Sequence, residues 1–351
     1  MAAIQLTDIE AGVRITPESR ALSQAAVSAL GAPSLLNTQP WRWRIGGQTA
    51  ELWADRARQV PSIDPEGRLL TLACGVALHY AVTALSALGL TCAVDYRPDP
   101  DQADLLARIT LTGKRPPDAA AVRLFRAMAK RRSDRRPFAD HPVPVDVLER
   151  LQAAAEANHA HVTFARPDTM VYITAAAGRA ATVELADPQY RADLTNWVAR
   201  PDSAGDGVPL ATTVPDEARP VPIRDFRATE PEHKSIFDRS ELVDRFAEYL
   251  VLFTDGDESL DWVHAGEALS ALLLTATSEG LASSMMSDLI EVGSARETVR
   301  QMLGQVGWPM IVVRVGYRQP DAPPIDQAPR RAPAETIAIV PPAGPNAPLP
   351  G

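Results

Sequence analysis

Cysteine is almost missing from this chain: Cys74 and Cys92 are the two in 351 residues. One lies in an apolar helical run and the other in an apolar strand-like run. That excludes a disulfide framework and a thiolate metal site, and it fits a reducing compartment. Surplus positive charge is missing too. Lys and Arg number 35 against 44 Asp and Glu, for a net charge of −9, and no basic stretch is interleaved with aromatics, so nucleic acid is not an expected partner. Met1 to Ile15 lacks the basic patch and the apolar run of about 7–15 residues that a secretory signal requires. The expected location is the cytoplasm. There is no Gly-x-Ser-x-Gly elbow, no P-loop and no Gly-x-Gly-x-x-Gly, which leaves acyl transfer, nucleotide hydrolysis and Rossmann binding without support. His159-x-His161 could put two imidazoles on one strand face, but no Cys or carboxylate stands at ligand spacing, and no metal is expected.

What is present is an ordinary globular composition, 46% hydrophobic and 23% charged, long enough for two domains or one large one. The densest polar segment is Ala32-Pro33-Ser34-Leu35-Leu36-Asn37-Thr38-Gln39-Pro40-Trp41. Pro33 and Pro40 fix φ and remove two backbone donors, so the stretch between them is semi-rigid. Ser34, Asn37 and Gln39 offer donors and acceptors on short stems. The loop reads either as a cradle for a planar heterocycle or as a capped helix end with Trp41 as a core anchor.

The rest of the chain alternates helical and strand patterns. Helices are expected over residues 17–30, 69–88, 119–132, 144–158, 169–186, 188–200, 259–279 and 295–303. Trp41 to Trp53 reads as a hairpin around Gly46-Gly47. Further strands are expected at 91–96, 105–111, 162–164, 247–254 and 310–315. Leu69 to Leu88 is apolar on nearly every face and just short of a membrane-spanning length. With no second candidate, it reads as a helix buried between layers, and no membrane partner is expected. Residues 201–231 are Pro-rich and unperiodic, the composition of a functional cover or a disordered loop. Residues 341–351 read as a disordered tail.

Two helices share a spacing. Gly75-Val76-Ala77-Leu78 is followed by Gly89-Leu90, and Gly266-Glu267-Ala268-Leu269 by Gly280-Leu281, a gap of 14 in each case (89 − 75 and 280 − 266). The offset is 266 − 75 = 191, about half the chain, which suggests two related halves facing each other. The halves are unequal: the polar loop of residues 33–41 has no counterpart in the second, and Arg131-Arg132-Ser133-Asp134-Arg135 none in the first. A single site built across both would need one copy of each. The arginines with Ser133 read either as a phosphate grip or as a solvated basic helix end favoured by the macrodipole.

Pro33-Ser34-x-x-Asn37-x-Gln39-Pro40-Trp41, Arg131-Arg132-Ser133-x-Arg135 with Phe138, and the Glu279-Gly280-Leu281 helix end together resemble the flavin-binding motifs of the nitroreductase superfamily. In order and extent, over about residues 15–340, they look most like the Acg family, in which two nitroreductase repeats are fused. The resemblance implies an α+β, nitroreductase-like fold. It would comprise two fused repeats forming a pseudo-dimer, residues 1–118 and 119–340, with a Pro-rich lid loop at about 201–231. It also implies an FMN site. Arg131, Arg132 and Ser133, helped by Arg330 or Arg331, would hold the phosphate and ribityl end, with Arg135 beside them. Pro33, Ser34, Asn37 and Gln39 would meet the ring, and backbone near Gly280 and Leu281 its N5 edge. No side-chain acid or base is demanded, because the cofactor carries the redox chemistry. Ordinary nitroreductases are homodimers with two equal sites, whereas here one FMN per chain is expected, in a monomer or a homodimer. Two activities follow: NAD(P)H-dependent reduction of a small nitro compound or quinone, or sequestration of FMN beneath a lid that keeps nicotinamide off the ring.

Overall fold

The structure, a computed structural model, describes residues 16–198, 200–209, 212–213, 219–224, 226 and 244–341. The tail expected to be disordered, beyond Pro341, lies outside these residues, as does part of the expected lid, including 214–218 and 227–231. Helix α1 (Pro17–Ala29) starts as its sequence dictates: Pro17 occupies the first turn and Thr16 Oγ1 accepts from the Ser19 amide. The hairpin β1 (Trp41–Gly46) and β2 (Thr49–Ala54) alternates buried and less buried residues. Asp64 then accepts hydrogen bonds from the Leu69 and Leu70 amides and so caps α2 (Arg68–Ala87). Strands β3 (Leu90–Tyr96) and β4 (Leu105–Lys114) follow.

The second half brings α3 (Ala119–Lys130), α4 (Val145–Glu156), β5 (His161–Phe164), α5 (Met170–Ala186) and α6 (Pro188–Val198). After these come β6 (Glu248–Thr254), α7 (Ser259–Ser278), β7 (Ala282–Met286), α8 (Asp288–Glu291), α9 (Gly293–Met302) and β8 (Trp308–Gly316). The chain ends in α10 (Pro333–Thr336) and β9 (Ile337–Ile339). Strand β7 gives no sequence signal, since Ala-Ser-Ser-Met-Met lacks the β-branched and aromatic residues that fit a pleated surface. Antiparallel pairing with β8 makes it a strand.

Among the described residues the strands form two sheets, ordered β3-β4-β2-β1-β9 and β5-β6-β8-β7. The second is antiparallel throughout. In the first, β9 lies parallel to β1, so the chain's last strand crosses back onto the sheet of the first half. One core takes in buried side chains of both sheets and of the packed pair α2 and α7. Helix α2 is long and apolar enough to cross a membrane, but most of it is buried inside the protein.

The two helices meet at the glycines the sequence pairs. A Cβ on Gly75 would stand 2.1 Å from the Val263 carbonyl oxygen, and one on Gly266 would stand 2.0 Å from that of Leu72. Four residues further along each helix, at the same offset of 191, His79 Nδ1 lies 2.8 Å from Ser270 Oγ. Burial drives the pKa of His79 down to about 4, so the imidazole at this contact is neutral near pH 7. Gly266→Ala puts a methyl against backbone that cannot swing aside. It should destabilise the protein by about 3 kcal/mol, measured by denaturant unfolding.

Beside Gly266, the Glu267 carboxyl is 6% exposed and accepts from Tyr96 Oη at 2.9 Å. Burial raises its pKa to about 7, with the Tyr96 hydrogen bond acting the other way. A carboxyl whose pKa is raised by folding contributes stability below its unfolded value, about 4.5, and loses it as pH rises through about 7. Glu267→Gln should therefore gain on the native protein by up to about 3 kcal/mol between pH 4.5 and 8, measured as the pH dependence of the unfolding free energy.

Candidate functional site

The loop after α1 tightens into a short 3₁₀ turn, Leu35–Asn37. Leu36, Asn37 and Gln39 all take positive φ, at 47°, 57° and 49°. Three non-glycine residues in the left-handed region within four positions make a strained segment that its surroundings must hold. They do so through the side chains the sequence singles out. Ser34 Oγ accepts from the Gln39 amide at 2.8 Å. Asn37 Nδ2 donates to the carbonyls of Gly207 and Pro329, both at 3.0 Å, while its Oδ1 accepts from Arg330 at 2.8 Å. Gln39 is fully buried; its Nε2 donates to the Gly205 carbonyl and its Oε1 accepts from the Arg331 amide.

The arginine segment is tied to the second sheet. The Asp134 amide donates to the Ser283 carbonyl at 2.8 Å, where Ser133 bridges the edge of β7. Arg314 of β8, 0% exposed, donates to the carbonyls of Asp134 and Arg136 at 2.9 Å each and pairs with Asp244. Its guanidinium also stands 4.0 Å from the centre of the Phe138 ring. A buried cation thus fixes the backbone that carries Arg131, Arg132 and Arg135.

These two segments line one cleft of about 1110 Å³, open mouth included. Pro33, Ser34 and Asn37 come from the first half and Arg131, Arg132, Ser133 and Arg135 from the second. The C-terminal segment adds Ile325 to Ala328 and Arg330. Apolar side chains from the core complete it: Leu69 and Leu72 of α2, Leu269 of α7, Met285 of β7 and Ile311 of β8. Among the described residues, Arg131, Arg132, Arg135 and Arg330 have no carboxylate within ion-pair distance. Burial, then Arg131, lowers the pKa of Arg132; burial, then Arg224, lowers Arg135 to about 10; and burial, then Arg131, lowers Arg330 to about 10. All remain charged near pH 7. The Nε atoms of Arg131, Arg132 and Arg330 are buried without a hydrogen-bond partner. Unpaired guanidinium groups and an apolar lining suit an anion joined to a flat apolar body.

Four of the expected residues do not line the cleft. Gln39 and Arg331 bind each other: the Arg331 guanidinium donates to the Gln39 carbonyl at 3.0 Å and faces Asp55 at 3.6 Å. Gly280, at φ 82°, and Leu281, whose amide returns to the Ala276 carbonyl, close the end of α7. They are replaced at the cleft by Met285 and Ser287, just beyond. Asn37 does line it, but its carboxamide is occupied by backbone and Arg330, so it braces the loop. Sequence reading missed Arg224, Phe226, Met285, Ser287 and Asp326, which also line the cleft. None carries a motif, and tertiary packing alone brings them there.

Residues 128–317 match the model of the Nitroreductase family. This chain belongs to the nitroreductase family. Curated relatives of this family member cover nearly its whole length. A Mycobacterium tuberculosis protein named "Putative NAD(P)H nitroreductase" with a locus number is 35% identical over 92% of this chain and 92% of its own. "Putative NAD(P)H nitroreductase acg" of the same organism is 31% identical over 90% of this chain and 93% of its own. Among solved structures, the FMN-dependent nitroreductase NfnB of Mycobacterium smegmatis, in complex with NADPH, is 18% identical. It covers 62% of this chain and 97% of its own, with a TM-score of 0.39.

The unpaired arginines make a prediction that needs no cofactor. Inorganic phosphate at low ionic strength should raise the melting temperature of the ligand-free protein. Arg131→Ala combined with Arg132→Ala should abolish the increment, as followed by differential scanning calorimetry.

Proposed function

We propose that this nitroreductase-family protein is an FMN-binding oxidoreductase that reduces small nitro compounds or quinones at the expense of NAD(P)H. One observation carries the reading: loop and arginine segments from opposite halves of the chain line one cleft that is apolar on one part of its lining and cationic on another. Asn37 and Arg132 both face it, as one FMN bridging the two segments requires. The four unpaired guanidinium groups fit a dianionic phosphate. Arg131, Arg132, Ser133 and Arg330 would hold that end, and Arg135 would add positive charge nearby. Leu69, Leu72, Leu269, Met285 and Ile311 would receive the apolar ring system, together with Pro33 and Ser34. FMN, when bound, supplies the hydride chemistry. The protein's own part is to bind and orient it and to exclude water.

We further read the chain as two fused repeats that form one such site. The support is the meeting of Gly75 with Gly266, and of His79 with Ser270, at a common offset. The homologues named as NAD(P)H nitroreductases support nicotinamide as the electron source.

A second reading, sequestration of FMN with little turnover, is favoured by the bonds that tie the loop down. Asn37 and Gln39 hold the backbone of Gly205, Gly207 and Pro329, so the segments around the cleft are clasped together. A lid made in this way would keep nicotinamide from the distance hydride transfer needs, about 3–3.5 Å.

The purified protein should be yellow, and Arg132→Ala should weaken FMN binding by about 10- to 100-fold, read by flavin fluorescence titration. Steady-state NADPH oxidation with a nitroaromatic or quinone acceptor then separates the readings. Sustained turnover supports the enzyme, and stable flavin without turnover supports the store.

A further inference from the structure

A second, small pocket shares Arg224, Phe226, Met285 and Ser287 with the cleft and is also lined by Ser284 and Asp288. Behind it lies a charge cluster that nothing above uses. A single nitrogen of the Arg224 guanidinium, Nη2, donates to Glu184 Oε1 of α5 at 3.2 Å and to Glu291 Oε2 of α8 at 2.6 Å. Tyr190 Oη of α6 donates to Glu291 Oε2 at 3.5 Å, and Asp288 stands at the start of α8. The side chains of Arg224, Glu184 and Glu291 are 6%, 6% and 1% exposed. Asp64, before α2, and Arg135 also act on this cluster electrostatically.

One guanidinium cannot neutralise three carboxylates out of water. Two carboxylate oxygens on one nitrogen, with a third acid beside them, are relieved when one of the acids keeps its proton. Glu291 Oε1 is buried without any hydrogen-bond partner. The burden on each acid follows this crowding: burial raises Glu184 to about 8 and Asp288 to about 6, with the attraction of Arg224 opposing it in both.

We propose that the Glu184, Glu291 and Asp288 carboxyl cluster is a proton store for the cleft, and that Asp288, on the wall of the small pocket beside it, passes the proton through that pocket to the bound acceptor. This rests on the oxidoreductase reading. A quinone that receives a hydride equivalent, two electrons and one proton, originating from the reduced nicotinamide, becomes the hydroquinone anion. The carboxyl O–H bond then breaks and a new O–H bond forms on the product oxygen. The cluster is left with one more negative charge beside Arg224, and water at the mouth of the cleft restores the proton. Tyr190 is a positioning residue here, since it bonds Glu291 and lines neither pocket.

The experiment has two arms on the full-length protein. Infrared difference spectroscopy of the protein without electron donor should show a protonated-carboxyl carbonyl band at pH 7 that disappears on titration near pH 8. Glu267 contributes a band of its own near pH 7, so the band of the cluster is the part that is lost in Glu184→Gln and kept in Glu267→Gln. With quinone as acceptor, kcat should fall about tenfold per pH unit above pH 8. In Glu184→Gln and Asp288→Asn that limb should vanish, with kcat at pH 7 down about tenfold or more and KM changed less than about twofold. A native protein without the cluster's band at pH 7, or one whose limb persists in both variants, overturns the store. Failure of the underlying reading shows differently, as a native protein that binds no flavin or turns nothing over, and the delivery role then falls with it.

Discussion

Everything in this molecule is built around a contact with no side chain in it. Helices α2 and α7 approach until the backbone of Gly75 and Gly266 touches, closer than any other residue permits. That approach brings two separate sheets onto one core and leaves the start of α2 and the middle of α7 to line a shared cleft. Leu69 and Leu72 on one helix and Leu269 on the other face the same space because their helices cannot drift apart. A methyl group at the crossing would displace the lining as well as weaken the core.

The cleft inverts the electrostatics of the structure around it. Elsewhere, buried arginines have carboxylate partners: Arg314 and Arg219 meet Asp244, and Arg68 meets Asp257. At the cleft, among the described residues, Arg131, Arg132, Arg135 and Arg330 are left without one, and each of the last three is made more acidic by burial and its neighbours. A protein tolerates such an arrangement when the missing negative charge comes with a ligand. Arg314 makes this possible. By satisfying the carbonyls of Asp134 and Arg136 from beneath, it holds the arginine segment at the edge of the second sheet.

The polar loop shows how residue chemistry and residue role can separate. Its prolines, Ser34, Asn37 and Gln39 mark a rigid segment, and the structure has one, with three positive φ values. Yet the carboxamides of Asn37 and Gln39 act as clasps on Gly205, Gly207 and the C-terminal backbone. A carboxamide serves equally well on a ligand or on a peptide group, and only the positions of distant segments decide which it meets.

Local signals were enough for most of the elements and for the segments that line the cleft. The Pro17 start of α1, the Gly46-Gly47 turn, the apolar runs of α2 and α7 and their matched glycines are all properties of short stretches. So is the clustering of Arg131, Arg132 and Ser133, and together these carried the family and one shared cleft. Strand β7 was beyond them, because its pairing with β8 outweighs a poor strand composition. So were the return of β9 to the first sheet and the carboxyl cluster on Arg224. Each of these depends on contacts between residues far apart in the chain, and such contacts are settled by how layers pack and which buried charges find partners, quantities that no window of neighbouring residues contains.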